Sequence, residues 1–289
     1  MGTRRLKEEL DWRSGCRGQS WGMDACFLTQ IVCYTRGGGK CGCGVTHQRL
    51  LKYDDAERFW DDNMPAEGGI RIGRNVRVPA SALTLNGFRR WIHSSRAPKR
   101  GRFSFIAGEL RVEMGPEDIN THIDAKRDLT IYLTLETRQR DLGRVFMDGV
   151  LLVNEEADLS TEPDLMFCTW ETLETGRAVV AEAAPGSGRF VELQGSPDLV
   201  VEIVSRSSVT KDNRDLRGSY FLAGVREYWV VDARRAEVSL RVLNAGPDEY
   251  LDAAIDADGF QRSVVLERSI KLTRVVNRAA GFDYSLWLK

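Results

Sequence analysis

PDLVVEIVSRSSVTKDNRDLRGSYFLAGVREYWVVD, residues 197–232, decides how the chain folds. Pro197 and Asp198 open the stretch, and an apolar run from Leu199 to Val204 follows, broken by one carboxylate, Glu202. A run of β-branched residues this short, bounded by turn formers, predicts a strand buried on both faces. An ionised glutamate inside such a strand needs a partner or a metal ion, because burying it alone is costly. Ser205 to Thr210 offer capping side chains, and Leu216, Tyr220 and Ala223 then recur on one helical stripe. Gly224 sits where a helix C-cap glycine belongs, and Glu227 to Asp232 predict the next buried strand. The unit is strand, helix, strand, with a right-handed crossover as its default hand.

Upstream, Leu85, Phe88, Trp91 and Ile92 fall at helical spacing behind Thr84 as N-cap. Arg102 to Ile106 and Glu109 to Glu113 predict two strands about a turn at Ala107-Gly108. Pro116 precedes a long helix, Glu117 to Gln139, with acids in its first turn as the macrodipole favours. Ile119, Ile123, Leu129 and Leu133 make its apolar stripe, with His122 and Lys126 on or beside it. Those two are neighbours on one face. Alone they read as a partly buried histidine and a snorkelling lysine, and only acids placed opposite them change that. Gly143 to Met147 and Val150 to Val153 predict a hairpin turning at Asp148-Gly149, and Pro163-Asp164 opens a buried strand at Leu165 to Cys168. After Asp232 come further short strands, and the terminal GFDYSLWL docks as an edge or a cap.

With 289 residues, 42% hydrophobic and 29% charged, the chain has ordinary globular composition and length for one large domain or two small ones. No window approaches the roughly 18 consecutive apolar residues of a membrane span, and the N-terminus lacks a signal-like apolar core, so the cytoplasm is the expected compartment. The net charge of −1 divides into +5 for residues 1–53 and −6 for the rest. That balance argues against tight non-specific DNA binding by the main body as a whole, while leaving room for a local basic patch. Five of six cysteines lie in the first 43 residues. A zinc knuckle from Cys33, Cys41, Cys43 and His47 lacks the paired Cys-x-x-Cys spacing, so unpaired thiols are the simpler reading. Residues 1–60 are therefore expected to be a disordered or over-extended N-terminal segment, with Met64 as an alternative start, and residues 76–289 a single domain.

Three features carry chemistry: Pro163-Asp164 at one strand start, Glu202 inside another, and Lys211 at the mouth of the following helix. Two carboxylates on adjacent strands beside a lysine can hold a hard divalent cation and set a water against a phosphodiester. The arrangement resembles the PD-(D/E)xK nuclease superfamily and, more narrowly, the Uma-two family of restriction-endonuclease-like proteins common in bacteria. The resemblance rests on SFIAGELRVEMGPEDINTHIDAK (104–126), DGVLLVNEEADLSTEPDLMF (148–167) and, most specifically, PDLVVEIVSRSSVTKD with YFLAGVREYWVVDAR. It spans about Val76 to Arg235.

The resemblance implies an α/β, restriction-endonuclease-like core, a mixed sheet flanked by helices, and Mg²⁺- or Mn²⁺-dependent hydrolysis of DNA phosphodiester bonds. Asp164 and Glu202 would be the metal-binding acids, with the backbone carbonyl of Ile203 a further ligand. Glu109 and His122 match family positions near the site. Val204 stands where the superfamily motif has lysine, so the base is expected from a neighbouring helix: Lys211, with Lys126 in reserve. Many such nucleases pair to cut both strands, which makes a homodimer plausible. The alternative is a catalytically silent relative that binds DNA or a protein partner. Asp198 and Asp232 read as caps, and Tyr228 and Trp229 as core aromatics.

Overall fold

The Leu199–Ile203 run is a strand, and all five of its residues are buried. In this computed structural model residues 69–72, 76–183 and 186–289 are described, all within the unit Leu51–Lys289. The expectations for residues 1–60 and their cysteines lie outside the described residues. The strands run β1 (Gly69–Ile72), β2 (Val76–Pro79), β3 (Arg102–Ile106), β4 (Glu109–Glu113), β5 (Gly143–Met147), β6 (Leu151–Asn154), β7 (Leu159–Thr161) and β8 (Leu165–Thr169). They continue as β9 (Ala178–Glu182), β10 (Phe190–Gly195), β11 (Leu199–Ile203), β12 (Glu227–Asp232), β13 (Ser239–Ala245), β14 (Tyr250–Asp252), β15 (Gln261–Ser263), β16 (Arg268–Val276) and β17 (Phe282–Leu288). The helices are α1 (Leu85–Ile92), α2 (Asp124–Gln139), α3 (Trp170–Glu174) and α4 (Leu216–Leu222).

The fold is α/β with mixed sheets. The central sheet has the order β14-β13-β12-β11-β8-β5. Its β11–β12 pair is parallel, in register from Leu199 against Glu227 to Ile203 against Val231, and its other pairs are antiparallel. Strand alternation divides β11 between two layers. Leu199, Val201 and Ile203 pack with Leu129 and Leu133 of α2 and with Ile270, Tyr284 and Leu286 from the β15-β16-β17 sheet. Val200 and the adjoining Val204 pack with Leu216 and Tyr220 of α4, and Glu202 shares their face. A second six-stranded sheet, β4-β3-β7-β6-β10-β9, adds Ile106, Leu152, Leu159 and Leu193 to that layer. The terminal segment docks as the edge strand β17, beside α2.

Two sequence expectations are corrected. β5 and β6 do not form a hairpin: β5 pairs with β8 in the central sheet, whereas β6 pairs with β7 and β10 in the second. All four residues of β6 are buried, so that strand needs partners on both sides and cover on both faces. Asp148-Gly149 is instead a corner between sheets. Gly149 sits there at φ +89°, and its N–H donates to Glu162 Oε1 at 2.8 Å. The second correction concerns α2. The chain enters it through a wide π-helical turn, Ile119–Ile123, capped by Asp118 Oδ1 accepting from the Thr121 N–H at 2.8 Å. This shifts the helical phase, so His122, Ala125, Lys126, Leu129 and Leu133 face inward while Ile119 and Ile123 are exposed.

Asp198 acts as the cap its position suggests. Its buried carboxylate accepts from the Thr169 N–H at 2.7 Å, from Arg177 at 2.6 Å and from Arg226 at 3.3 Å. Asp198→Ala strips the β8 end of that acceptor and leaves two half-exposed arginines without it. The expected loss is about 2–3 kcal/mol of unfolding free energy, measured by urea denaturation.

Candidate functional site

Asp164 stands just before β8, only 1% exposed, where β8 and β11 lie side by side. Its Oδ2 accepts from the Ile203 N–H at 2.8 Å and lies 3.3 Å from His122 Nε2. Its Oδ1 lies 3.0 Å from Lys126 Nζ and 3.4 Å from Arg102 Nη1. Burial works to raise the Asp164 pKa. The His122 hydrogen bond and the charges of His122, Lys126 and Arg102 outweigh it and hold the carboxyl well below the ordinary carboxylate range.

Two further acids complete this network. Glu117 lies 3.2 Å from both Lys126 Nζ and His122 Nδ1 and pairs with Arg102. Asp148, at the inter-sheet corner, lies 3.1 Å from Lys126 Nζ. Among the described residues, Glu117, His122 and Asp164 form the one trio of acid or histidine side chains whose ligand atoms all lie within 4.8 Å of one another. Although His122 Nδ1 is close to Glu117, it is buried without an aligned hydrogen bond.

Glu202 sits on the α4 side. Tyr220, fully buried on α4, donates from its hydroxyl to Glu202 Oε1 at 2.6 Å. Burial first, then the charges of Asp164 and Asp212, push Glu202 up to about 8, with Lys211 and Tyr220 offsetting only part. Lys211 enters from a second π turn, Lys211–Asp215, with Nζ 3.2 Å from Glu113 Oε2 and 3.7 Å from Asp212 Oδ1. Burial would lower the Lys211 pKa, but Glu202, Asp212 and Glu113 raise it above its ordinary value. Asp212 is itself pushed up to about 6, chiefly by burial, and its Oδ2 accepts from Ser208.

A family model, Uma2, described as “Putative restriction endonuclease”, matches residues 86–274, well over half of the chain. The chain belongs to the Uma2 family. No curated protein matches it. Among solved structures it is similar to one titled “a putative nuclease belonging to DUF820 from Anabaena variabilis”, at 16% identity and a TM-score of 0.47, over 64% of this chain and 90% of that one.

Of the Uma2 residues singled out from sequence, Asp164, His122, Lys126 and the Ile203 backbone meet directly, and Glu202 and Lys211 lie in the adjoining α4-side cluster. Glu109 does not join them. It is exposed and bonded to Arg111, because the β3–β4 register puts Glu109 opposite Ile106 at the turn and Glu113 opposite Arg102 at the site. Sequence reasoning missed Glu113, Glu117, Asp148, Asp212, Arg102 and Tyr220. Three of them carried weak signals: Glu117 as a first-turn acid, Asp148 in the Asp-Gly corner and Asp212 beside Lys211.

The raised Glu202 pKa gives a signed pH dependence. A carboxyl at about 8 in the fold and 4.5 unfolded adds stability that is complete below pH 4.5 and lost as pH rises through about 8. Asp212 adds the same sign between 3.8 and about 6. Glu202→Gln removes the larger part. In EDTA the variant is expected to be more stable than the parent at pH 9 by a few kcal/mol and nearly equal to it at pH 5. Thermal melts across that range test it; a difference independent of pH would contradict it.

Proposed function

We propose that this Uma2 chain is a divalent-metal-dependent endonuclease that hydrolyses DNA phosphodiester bonds in the cytoplasm, with residues 76–289 as its single domain. The observation that carries this reading is the Asp164 carboxylate, buried yet held ionised between His122, Lys126 and the Ile203 N–H. Its neighbours suit a metal. Two ligands of one Mg²⁺, with bonds of roughly 2.1 Å, stand at most about 4.2 Å apart, so the trio spanning 4.8 Å needs only slight closure. Carboxylate oxygens suit Mg²⁺ or Mn²⁺, and an imidazole nitrogen, a softer donor, is accepted more readily by Mn²⁺ than by Mg²⁺. Asp164, with His122 or Glu117, would hold the ion, and Glu202 and the Ile203 carbonyl would complete the set. A bound divalent cation polarises the phosphodiester and acidifies a water.

The chain's own groups do the rest. Lys126 already faces three carboxylates, so it balances their charge and keeps Asp164 ionised. Lys211, held less fully by Glu113 and Asp212, steadies the attacking water beside Glu202. Glu202 must lose its proton at Oε1 or Oε2 before it can ligate or accept, and Tyr220 fixes which oxygen is free. Cleavage is therefore expected to climb about tenfold per pH unit and to level below pH 8, because a bound divalent cation lowers the Glu202 pKa from its metal-free value of about 8. Paired copies would cut both strands.

Supercoiled-plasmid nicking with Mg²⁺ or Mn²⁺ tests the assignment. Asp164→Ala and Glu202→Ala are each expected to lose at least about 100-fold, Lys211→Ala about 30-fold, and Glu109→Ala less than about threefold. Val204, buried among apolar side chains where the superfamily has lysine, favours the second reading, a silent module that binds DNA or a protein. Absent nicking with salt-sensitive DNA binding would select it.

A further inference from the structure

The body's net acidity conceals an uneven rim around the site. The segment between α1 and β3 exposes Lys99 and Arg100, three and two residues before Arg102, which touches Asp164 and Glu117. The chain's reach keeps both within about 10 Å of Arg102. Across the site, the turn after β11 exposes Arg206 three residues beyond Ile203. That turn is braced by reciprocal bonds, Ser205 N–H to Ser208 Oγ at 2.9 Å and Ser208 N–H to Ser205 Oγ at 3.1 Å. Arg206 lies near enough to Asp118, the residue beside Glu117, for its charge to favour the ionised carboxylate there. Among the described residues no ion pair within 4 Å engages Lys99, Arg100 or Arg206.

Apolar side chains lie on the same rim. Met114 is 54% exposed beside Gly101, with its sulfur 2.6 Å from where a Cβ would stand, and Ile119, on the π turn, is 69% exposed. Unpaired cations on two loops, interleaved with bare aliphatic side chains and converging on one buried acidic site, match a polymer of alternating phosphate and apolar sugar or base surface. An acidic peptide offers no such alternation at a site that itself carries six carboxylates.

We propose that this rim is the DNA-backbone grip: Lys99, Arg100 and Arg206 bind phosphates flanking the reactive one, and Met114 and Ile119 pack on the sugars or bases between. The assignment deepens the nuclease reading and rests on it for the choice of DNA. Its test needs no turnover. Fluorescence anisotropy of the full chain with a labelled DNA duplex in EDTA, over a salt series, gives the slope of log affinity against log salt. Removing three phosphate contacts, as Lys99→Ala/Arg100→Ala/Arg206→Ala, is expected to shrink that slope by about 2 to 3 and to weaken binding at least about 30-fold at moderate salt.

Met114→Ser/Ile119→Ser is expected to weaken binding with the slope unchanged, and Arg262→Ala, an exposed cation on β15, to alter neither. A parental slope in the triple variant, an equal loss in the Arg262 control, or preference for an RNA duplex of the same sequence would overturn the assignment. The two readings fail separately. Nicking without any slope change removes the grip alone, and a slope change without nicking removes the nuclease alone.

Discussion

A carboxylate leaves water only when something else solvates it, and the fold is arranged around doing that for Asp164. Its replacements come from four elements. The Ile203 N–H is supplied by β11, His122 by the π turn, Lys126 by α2 and Arg102 by β3. Lys126 and Arg102 then need counter-charges of their own in a half-buried place, which draws in Glu117 and Asp148. The corner between β5 and β6 and the hairpin register of β3 and β4 are therefore electrostatic requirements as much as packing ones. Replacing such a network with apolar residues would often be neutral for stability, so stability alone does not call for it.

Glu202, on the next strand, meets the opposite fate. It has one hydroxyl donor and a lysine shared with two other acids, so burial dominates and its pKa rises toward 8, while Asp164 is held low. Carboxyls whose surroundings drive their proton affinities apart are suited to different tasks. Asp164 is a permanent negative anchor, and Glu202 is a group that changes charge near neutrality. Tyrosines on α4 and β12 cover this side: Tyr220 donates to Glu202 and moderates its rise without cancelling it, and Tyr228 donates to the Asp212 carbonyl at 2.7 Å.

The strand-helix-strand unit was legible because short apolar runs, a capping cluster and a C-cap glycine each have a local cause, and Gly224 indeed sits at φ +73°. Strand partners were not legible. The β5 and β6 segments with an Asp-Gly between them look like a hairpin in any local reading, and only the full burial of β6 shows that it belongs elsewhere. The site divided in the same way. Asp164 and Glu202 stand out as charges in apolar runs, whereas Glu113, Glu117 and Asp148 reach the site through pairing register and a corner, which periodicity does not encode. Glu109 and Glu113 share one face of β4, and only the pairing with β3 shows which end meets the site.

The position two residues after Glu202 raises a geometric question on which the two π turns bear. Val204 shares a face with Glu202, but there it packs with Leu216 and Tyr220, where an ammonium would need an acid of its own. A buried cation stands instead on the next element, at Lys211. Consecutive side chains diverge by about 100° in an ordinary α-helix and by less in a π turn, which eases the inward placement of both Lys211 and Asp212. The wider turn at Lys211–Asp215 holds more residues per revolution, and both are buried. The turn at Ile119–Ile123 does the same for His122, at the cost of exposing Ile119. Both helices thus begin with a π turn that carries some of the site's polar side chains, His122 in one and Lys211 with Asp212 in the other. A regular helix in either place would turn part of the charge away from the site.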